Sequence, residues 1–228
     1  MYVWKCWRDT RWFFFVFVGI AGLPMPMAAL ASRGGAVIVD AGSITFQYAF
    51  VTIVTAVAYA LATLCAIQEF TDKTAHFLFT KPRSRSYFVW ASWMVGFAEL
   101  LGVAAVSLLV GWRVLAHYGV SAFTDARTHD VAPLNFVEAI VYASFAYAFT
   151  FALTAMLRNG LQGLGASLGI MAGMVGVAKG LQMRWKIDLP LPPQQIGHLP
   201  IALSECLWVI LALLFVCAAQ VVVERAEI

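Results

Sequence analysis

Three acidic residues lie within long apolar stretches, where a carboxyl group could bind a proton, a cation or a polar substrate. They are Glu99, Glu138 and Glu205. A charged carboxylate costs about 2.5–3.5 kcal/mol at the centre of a membrane helix, so such residues are rare unless they are functional. Glu99 lies deepest in its stretch and is our first candidate for a transport pathway, with Glu138 and Glu205 near the outer ends of theirs. Alternatively, these acids only make polar contacts with neighbouring helices.

A second pattern, residues 165–169, matches the G-x-S-x-G motif of serine hydrolases. That motif works at a sharp strand-to-helix turn, whereas here it lies in a glycine-rich apolar stretch. The chain also lacks the G-x-x-x-x-G-K-[ST] loop that binds nucleotide phosphates. We therefore expect a non-catalytic chain that binds no cofactor and no metal of its own.

Glycines recur every four residues in the same stretch, at Gly165, Gly169 and Gly173. Small residues at this spacing form a smooth stripe that lets a second membrane helix approach closely. The pattern predicts a helix–helix contact, either within one chain or between two chains.

The composition indicates which elements position these residues. The chain has 228 residues, of which 62% are hydrophobic and 12% are charged. Soluble domains average about 45–50% apolar and about 25% charged residues. This excludes an ordinary soluble enzyme and a nucleic-acid-binding protein, and indicates a single all-α transmembrane domain over residues 1–228.

Six stretches approach or exceed the roughly 20 apolar residues that a helix needs to cross a bilayer. They cover residues 12–32, 44–67, 87–112, 134–157, 161–178 and 201–223. Residues 1–11, with Trp4 and Trp7 beside basic side chains, predict a separate helix in the membrane surface. With both termini in the cytoplasm, the inner side carries nine Lys and Arg residues and the outer side six. This charge bias predicts that orientation in a cell (inner) membrane.

The cytoplasmic segment at residues 68–86, here called the coupling segment, has a pattern of its own. Asp72 lies on one side of a short predicted helix, and Phe70, Phe77 and Leu78 lie on the other. Pro82 ends this helix, because the residue before a proline avoids helical geometry. A basic turn follows, and by itself it would serve as an anchor for acidic lipid headgroups.

The coupling segment resembles the corresponding loop of type-2 ABC transporter permeases. In that family the loop between spans 2 and 3 has an acidic residue, a Thr, a hydrophobic pair, then Pro and Arg. This chain has the same order, in Glu69, Thr74, Phe77, Leu78, Thr80, Pro82 and Arg85. The span count, the chain length and the predicted N-terminal interfacial helix are also similar.

The resemblance implies the permease subunit of an ATP-driven exporter. The helix from Glu69 to Thr80 would dock into a groove of a separate ATP-binding subunit, as amphipathic helices do. Two such subunits would bind ATP and Mg²⁺ and would move two copies of this chain between inward and outward states. Two alternatives stay open: an ion- or proton-coupled carrier that uses the intramembrane glutamates, and a haem-exporter-like membrane subunit.

Overall fold

The structure, a computed structural model, describes residues 2–22, 37–71, 85–117, 136–186 and 200–225. These residues form six α-helices, and the described ranges contain no strand. In chain order the helices are α1 (Tyr2–Gly22), α2 (Val37–Thr71), α3 (Arg85–His117), α4 (Phe136–Leu157), α5 (Gly160–Trp185) and α6 (Ile201–Arg225).

The centre of the bundle is α4, which is apolar on all sides. A helix of this kind must be covered by other helices or by lipid. Here α4 packs most extensively against α2 and α6, and also against α5 and α3. Aromatic side chains fill the contact with α6, where Phe149 and Phe215 have ring centroids 5.0 Å apart and Phe145 lies edge-on to Trp208.

Helix α1 lies parallel to α3. Near the starts of both helices, the Cys6 sulfur is 3.7 Å from the Ser92 hydroxyl oxygen. One turn further along α1, Thr10 contacts Glu99 of α3. The helix is continuous from Tyr2 to Gly22 and has no break near residue 11, where the sequence predicts the end of an interfacial helix. A separate interfacial helix therefore stays a prediction.

The start of α3 lies beside the end of α6. Trp90 Nε1 donates a hydrogen bond of 2.7 Å to Gln220 Oε1 across this contact. Because α1 and α3 begin together, the first residues of α1 and the last residues of α6 lie at the same end of the bundle. This arrangement is the one expected for an even number of membrane crossings.

A turn of two residues, Arg158 and Asn159, joins α4 to α5. Arg158 has a left-handed φ of 52°, and the Asn159 side chain caps α5 by accepting a hydrogen bond from Gln162 N. So short a link forces the two helices together, and Gly163 provides the space. A Cβ atom on Gly163 would lie 2.5 Å from the Thr154 Cα atom.

The helices confirm an all-helical, multi-span membrane protein over the described ranges. Five of them, α2 to α6, are long and apolar enough to cross a bilayer. The described apolar stretch of α1, Thr10–Gly19, is shorter, and the rest of the predicted span at residues 12–32 lies mostly outside the described residues. A sixth span therefore stays a prediction.

Predicted and observed boundaries agree best for α4 and α6. Helix α5 is longer than its predicted span at 161–178, since it continues to Trp185 and ends where Lys186 adopts a left-handed φ of 53°. Charged residues such as Lys179 end an apolar stretch without ending a helix.

Candidate functional site

The coupling segment lies between the end of α2 and the start of α3. Glu69 and Phe70 are in the last turn of α2, and Arg85 is the first residue of α3. The other residues predicted to contact an ATP-binding subunit lie outside the described residues: Asp72, Thr74, Phe77, Leu78, Thr80 and Pro82. Their proposed contact with a partner stays a prediction.

Both flanking helices are continuous from the apolar bundle to the coupling segment. Helices α2 and α3 have 35 and 33 residues, which corresponds to a length of about 50 Å each at 1.5 Å per residue. They pack against each other, and α2 also packs against the central α4. A displacement of the coupling segment would therefore act directly on helices that reach the middle of the bundle.

Helices α2, α3 and α4 come close together at Gly96. A Cβ atom there would lie 2.6 Å from the Cys65 sulfur and closer still to the Tyr147 hydroxyl oxygen. That hydroxyl donates a hydrogen bond of 3.0 Å to the Trp93 carbonyl oxygen. The absence of a side chain at position 96 thus lets Cys65 and Tyr147 meet beside α3.

Glu99 is buried between α3 and α1, with 3% of its surface exposed. Its Oε1 atom forms a hydrogen bond with the Thr10 hydroxyl, and its Oε2 atom has no hydrogen-bond partner among the described residues. The predicted alternative of a polar contact with another helix is therefore present in the structure. A role of Glu99 in a transport pathway stays a prediction.

Glu138 lies in the first turn of α4, and Glu205 lies just after the first turn of α6. Glu138 is half-buried near the start of α4, and Glu205 is half-buried near the start of α6, with its Oε1 atom unpartnered among the described residues. The described ranges bring no three His, Cys, Asp or Glu side chains together as a group that could hold a metal ion. The three glutamates therefore do not form one cluster, and a pathway role for Glu138 and Glu205 also stays a prediction.

The glycine stripe on α5 points away from the rest of the described chain. Cβ atoms on Gly165, Gly169 and Gly173 would meet nothing within 4 Å. The buried side of α5, which includes Ser167 and Met171, lies about half a turn away on the opposite side of the helix. The described part of the chain therefore provides no intramolecular partner for the stripe.

Sequence reasoning missed Thr10 and Cys6 as partners of α3. A signal was present, because Cys6, Thr10 and Phe14 recur every four residues and share one face of α1. All three face α3: Cys6 approaches Ser92, Thr10 contacts Glu99 and Phe14 lies against Gly102. The basic residues near them in the sequence instead favour a helix in the membrane surface.

The comparisons with known proteins add no relative from which a role could be transferred. No protein-family model, no curated protein and no solved structure matches this chain. The functional argument therefore depends on the residues and geometry of the chain itself.

Proposed function

We propose that the chain is the permease subunit of an ATP-driven ABC exporter in the cell (inner) membrane. It is the non-catalytic part of the transporter, and two copies of a separate subunit bind ATP and Mg²⁺ and hydrolyse the nucleotide. The sequence of the coupling segment supports the family assignment. The continuity of α2 and α3 up to that segment is the structural observation that carries the proposal.

Transport in this proposal begins with a push on the coupling segment. Helix α2 extends without a break to Thr71, and α3 begins at Arg85, so closure of the ATP-binding subunits would move both helices together. Their packing against each other, and that of α2 against α4, would pass the movement into the bundle as a rigid-body rotation.

The proposed orientation has both termini in the cytoplasm. Two observations support it. The first residues of α1 and the last residues of α6 share one end of the bundle. In the sequence, the segments predicted to lie on the same side as the termini have more Lys and Arg residues than the other segments. Basic residues are enriched in cytoplasmic loops of membrane proteins. The ATP-binding subunits would therefore meet the chain on the same side as its termini.

A light-activated cross-linker tests the contact with the ATP-binding subunit. Placed at Phe77, in the coupling segment, it is expected to label a co-expressed ATP-binding subunit. Placed at Val137, an exposed residue at the start of α4, it is expected to leave that subunit unlabelled. Labelling from Val137 alone, or from neither position while the two chains still co-purify, would contradict the proposed docking site.

The proposal also includes a second copy of the chain, for which the glycine stripe of α5 offers a surface. Gly165, Gly169 and Gly173 are exposed along one line and face away from the bundle. Two such stripes related by a twofold axis would allow close backbone contact, which drives helix association in lipid, where there is no hydrophobic driving force.

Larger side chains on the stripe are expected to weaken the dimer. Gly169→Leu and Gly173→Leu together keep the two helices apart and should weaken dimerisation about tenfold or more, since forced overpacking costs about 1–3 kcal/mol. Native mass spectrometry of the purified chain measures the dimer fraction. Ala218→Leu, at an exposed position on α6, is the matched control and should leave that fraction unchanged. A stripe variant that dimerises like the control would place the contact on another face.

A further inference from the structure

The Thr10 hydroxyl has a single hydrogen atom but two close oxygen neighbours. The Cys6 carbonyl oxygen lies 2.9 Å away, one helical turn earlier, and Glu99 Oε1 approaches from α3. The Trp7 carbonyl oxygen is farther away, at 3.5 Å. A carbonyl oxygen can only accept a hydrogen bond. Both contacts can be hydrogen bonds at the same time only if Thr10 donates to Cys6 and the Glu99 carboxyl group donates to Thr10. Glu99 must then carry a proton.

The surroundings of Glu99 favour the same state. The side chain is 3% exposed, and it forms no ion pair with any residue in the described ranges. An ionised carboxylate that is buried with a single hydroxyl partner and one unpartnered oxygen would be strongly destabilised. A neutral carboxylic acid leaves only a carbonyl oxygen, Oε2, without a partner, and this costs far less.

The titratable groups near Glu99 do not compensate a negative charge. Cys65 of α2 and Tyr147 of α4 meet at Gly96, about one turn before Glu99 on α3. Thiols and phenols ordinarily titrate well above pH 7, so these groups carry no charge there. Of the basic residues of α1, Arg8 is exposed, and the Arg11 Nε atom forms no hydrogen bond within the described residues.

We propose that Glu99 is a proton-binding site that holds α1 against α3. In the protonated state the acid donates to Thr10 Oγ1, and Thr10 donates to the Cys6 carbonyl oxygen. When the proton leaves to water, the O–H bond of the acid breaks and a buried carboxylate remains. This carboxylate can only accept hydrogen bonds, so the Thr10 hydroxyl must turn from the Cys6 carbonyl oxygen to donate to it, and the Oε2 atom still has no donor among the described residues. The buried charge is stabilised only if water reaches it, and water enters when α1 moves away from α3.

The position of α1 makes it the element that responds. Within the described ranges α1 packs extensively on α3 and less on α2, whereas the other described helices contact the central α4. Its polar contacts with α3 include the Thr10–Glu99 hydrogen bond and the approach of Cys6 to Ser92. Proton loss is therefore expected to open the contact between α1 and α3 and to leave the packing of the other helices around α4 intact. This inference is independent of the proposed ATP-binding partner.

Infrared spectroscopy of the full chain in lipid tests the proton directly. A protonated carboxyl group has a C=O stretching band that is separate from the amide bands. We expect this band at neutral pH, its loss in Glu99→Gln and its persistence in Glu224→Gln, a control at an exposed acid on α6. In Thr10→Val, which has nearly the same shape but no hydroxyl, the band should move to higher frequency. A spectrum that is unchanged in both Glu99→Gln and Thr10→Val would overturn the proposal.

A cross-link between α1 and α3 tests the release. Ser92→Cys introduces a thiol opposite the native Cys6 thiol, at a position where the Ser92 hydroxyl oxygen lies 3.7 Å from the Cys6 sulfur. Cys206→Ala and Cys217→Ala remove the exposed thiols, and mass spectrometry identifies the linked peptides. Glu99→Gln in the same background corrects for the effect of pH on thiol reactivity, because glutamine keeps a donor to Thr10 and cannot ionise.

The cross-link yield of the chain with Glu99, divided by that of the Glu99→Gln chain, should fall several-fold as the pH rises. The fall should follow the loss of the carboxylic acid band. A ratio that is constant across the pH range in which the band disappears would overturn the release of α1.

Discussion

Replacing Glu69, Phe77 and Leu78 by alanine is expected to abolish ATP-driven transport while the chain stays folded in the membrane. The two apolar residues are the proposed anchors in the groove of the ATP-binding subunit. Anchor residues of this kind typically contribute about 2 kcal/mol or more each, so the affinity should fall at least about 100-fold. The amount of ATP-binding subunit that co-purifies with each chain measures this loss.

A matched control separates loss of docking from loss of charge. Glu224→Ala removes an exposed acid near the end of α6, at the same end of the bundle as the start of α3. This variant should retain the ATP-binding subunit. If the triple variant retains it equally well and transport continues, the coupling segment is not the docking site.

The largest effect on stability is expected for Gly163→Ala. The added Cβ atom would lie 2.5 Å from Thr154 Cα, which is a backbone atom and cannot move without shifting α4 away from α5. Overpacking of this kind costs about 1–3 kcal/mol, and the short Arg158–Asn159 turn leaves little room for adjustment. The melting temperature of the purified chain should fall by several degrees.

Gly180→Ala is the matched control, because the same change is made on the same helix at a position outside the glycine stripe. A Cβ atom there would meet nothing within 4 Å, and alanine favours the helix over glycine by about 1 kcal/mol. The melting temperature should stay the same or rise. Equal destabilisation by the two substitutions would contradict the close approach of α4 and α5 at Gly163.

Five of the spans could be predicted from the sequence, because the length of an apolar stretch is limited by the thickness of the bilayer. The ends of the helices could not be predicted in this way. Helix α5 extends past Lys179 to Trp185, and α2 begins at Val37, before its predicted span at 44–67. A helix ends where its backbone is capped, as at Lys186, and not where the lipid ends.

The candidate site was only partly predictable. The cost of an intramembrane acid identifies Glu99, but its partner Thr10 lies 89 residues away and depends on how α1 is aligned with α3. The spacing of the glycines predicts a stripe without saying which side of α5 faces the bundle. The tightest glycine contacts of α5 are instead at Gly160 and Gly163, where the short turn brings α5 against α2 and α4.

The most direct test of the proposed function is the composition of the complex that the native chain forms. The chain would be co-expressed with a candidate ATP-binding subunit, purified in lipid nanodiscs and weighed by native mass spectrometry. The proposal predicts two copies of this chain with two copies of the ATP-binding subunit. A chain that binds no such subunit and moves a solute down an ion gradient without ATP would contradict it.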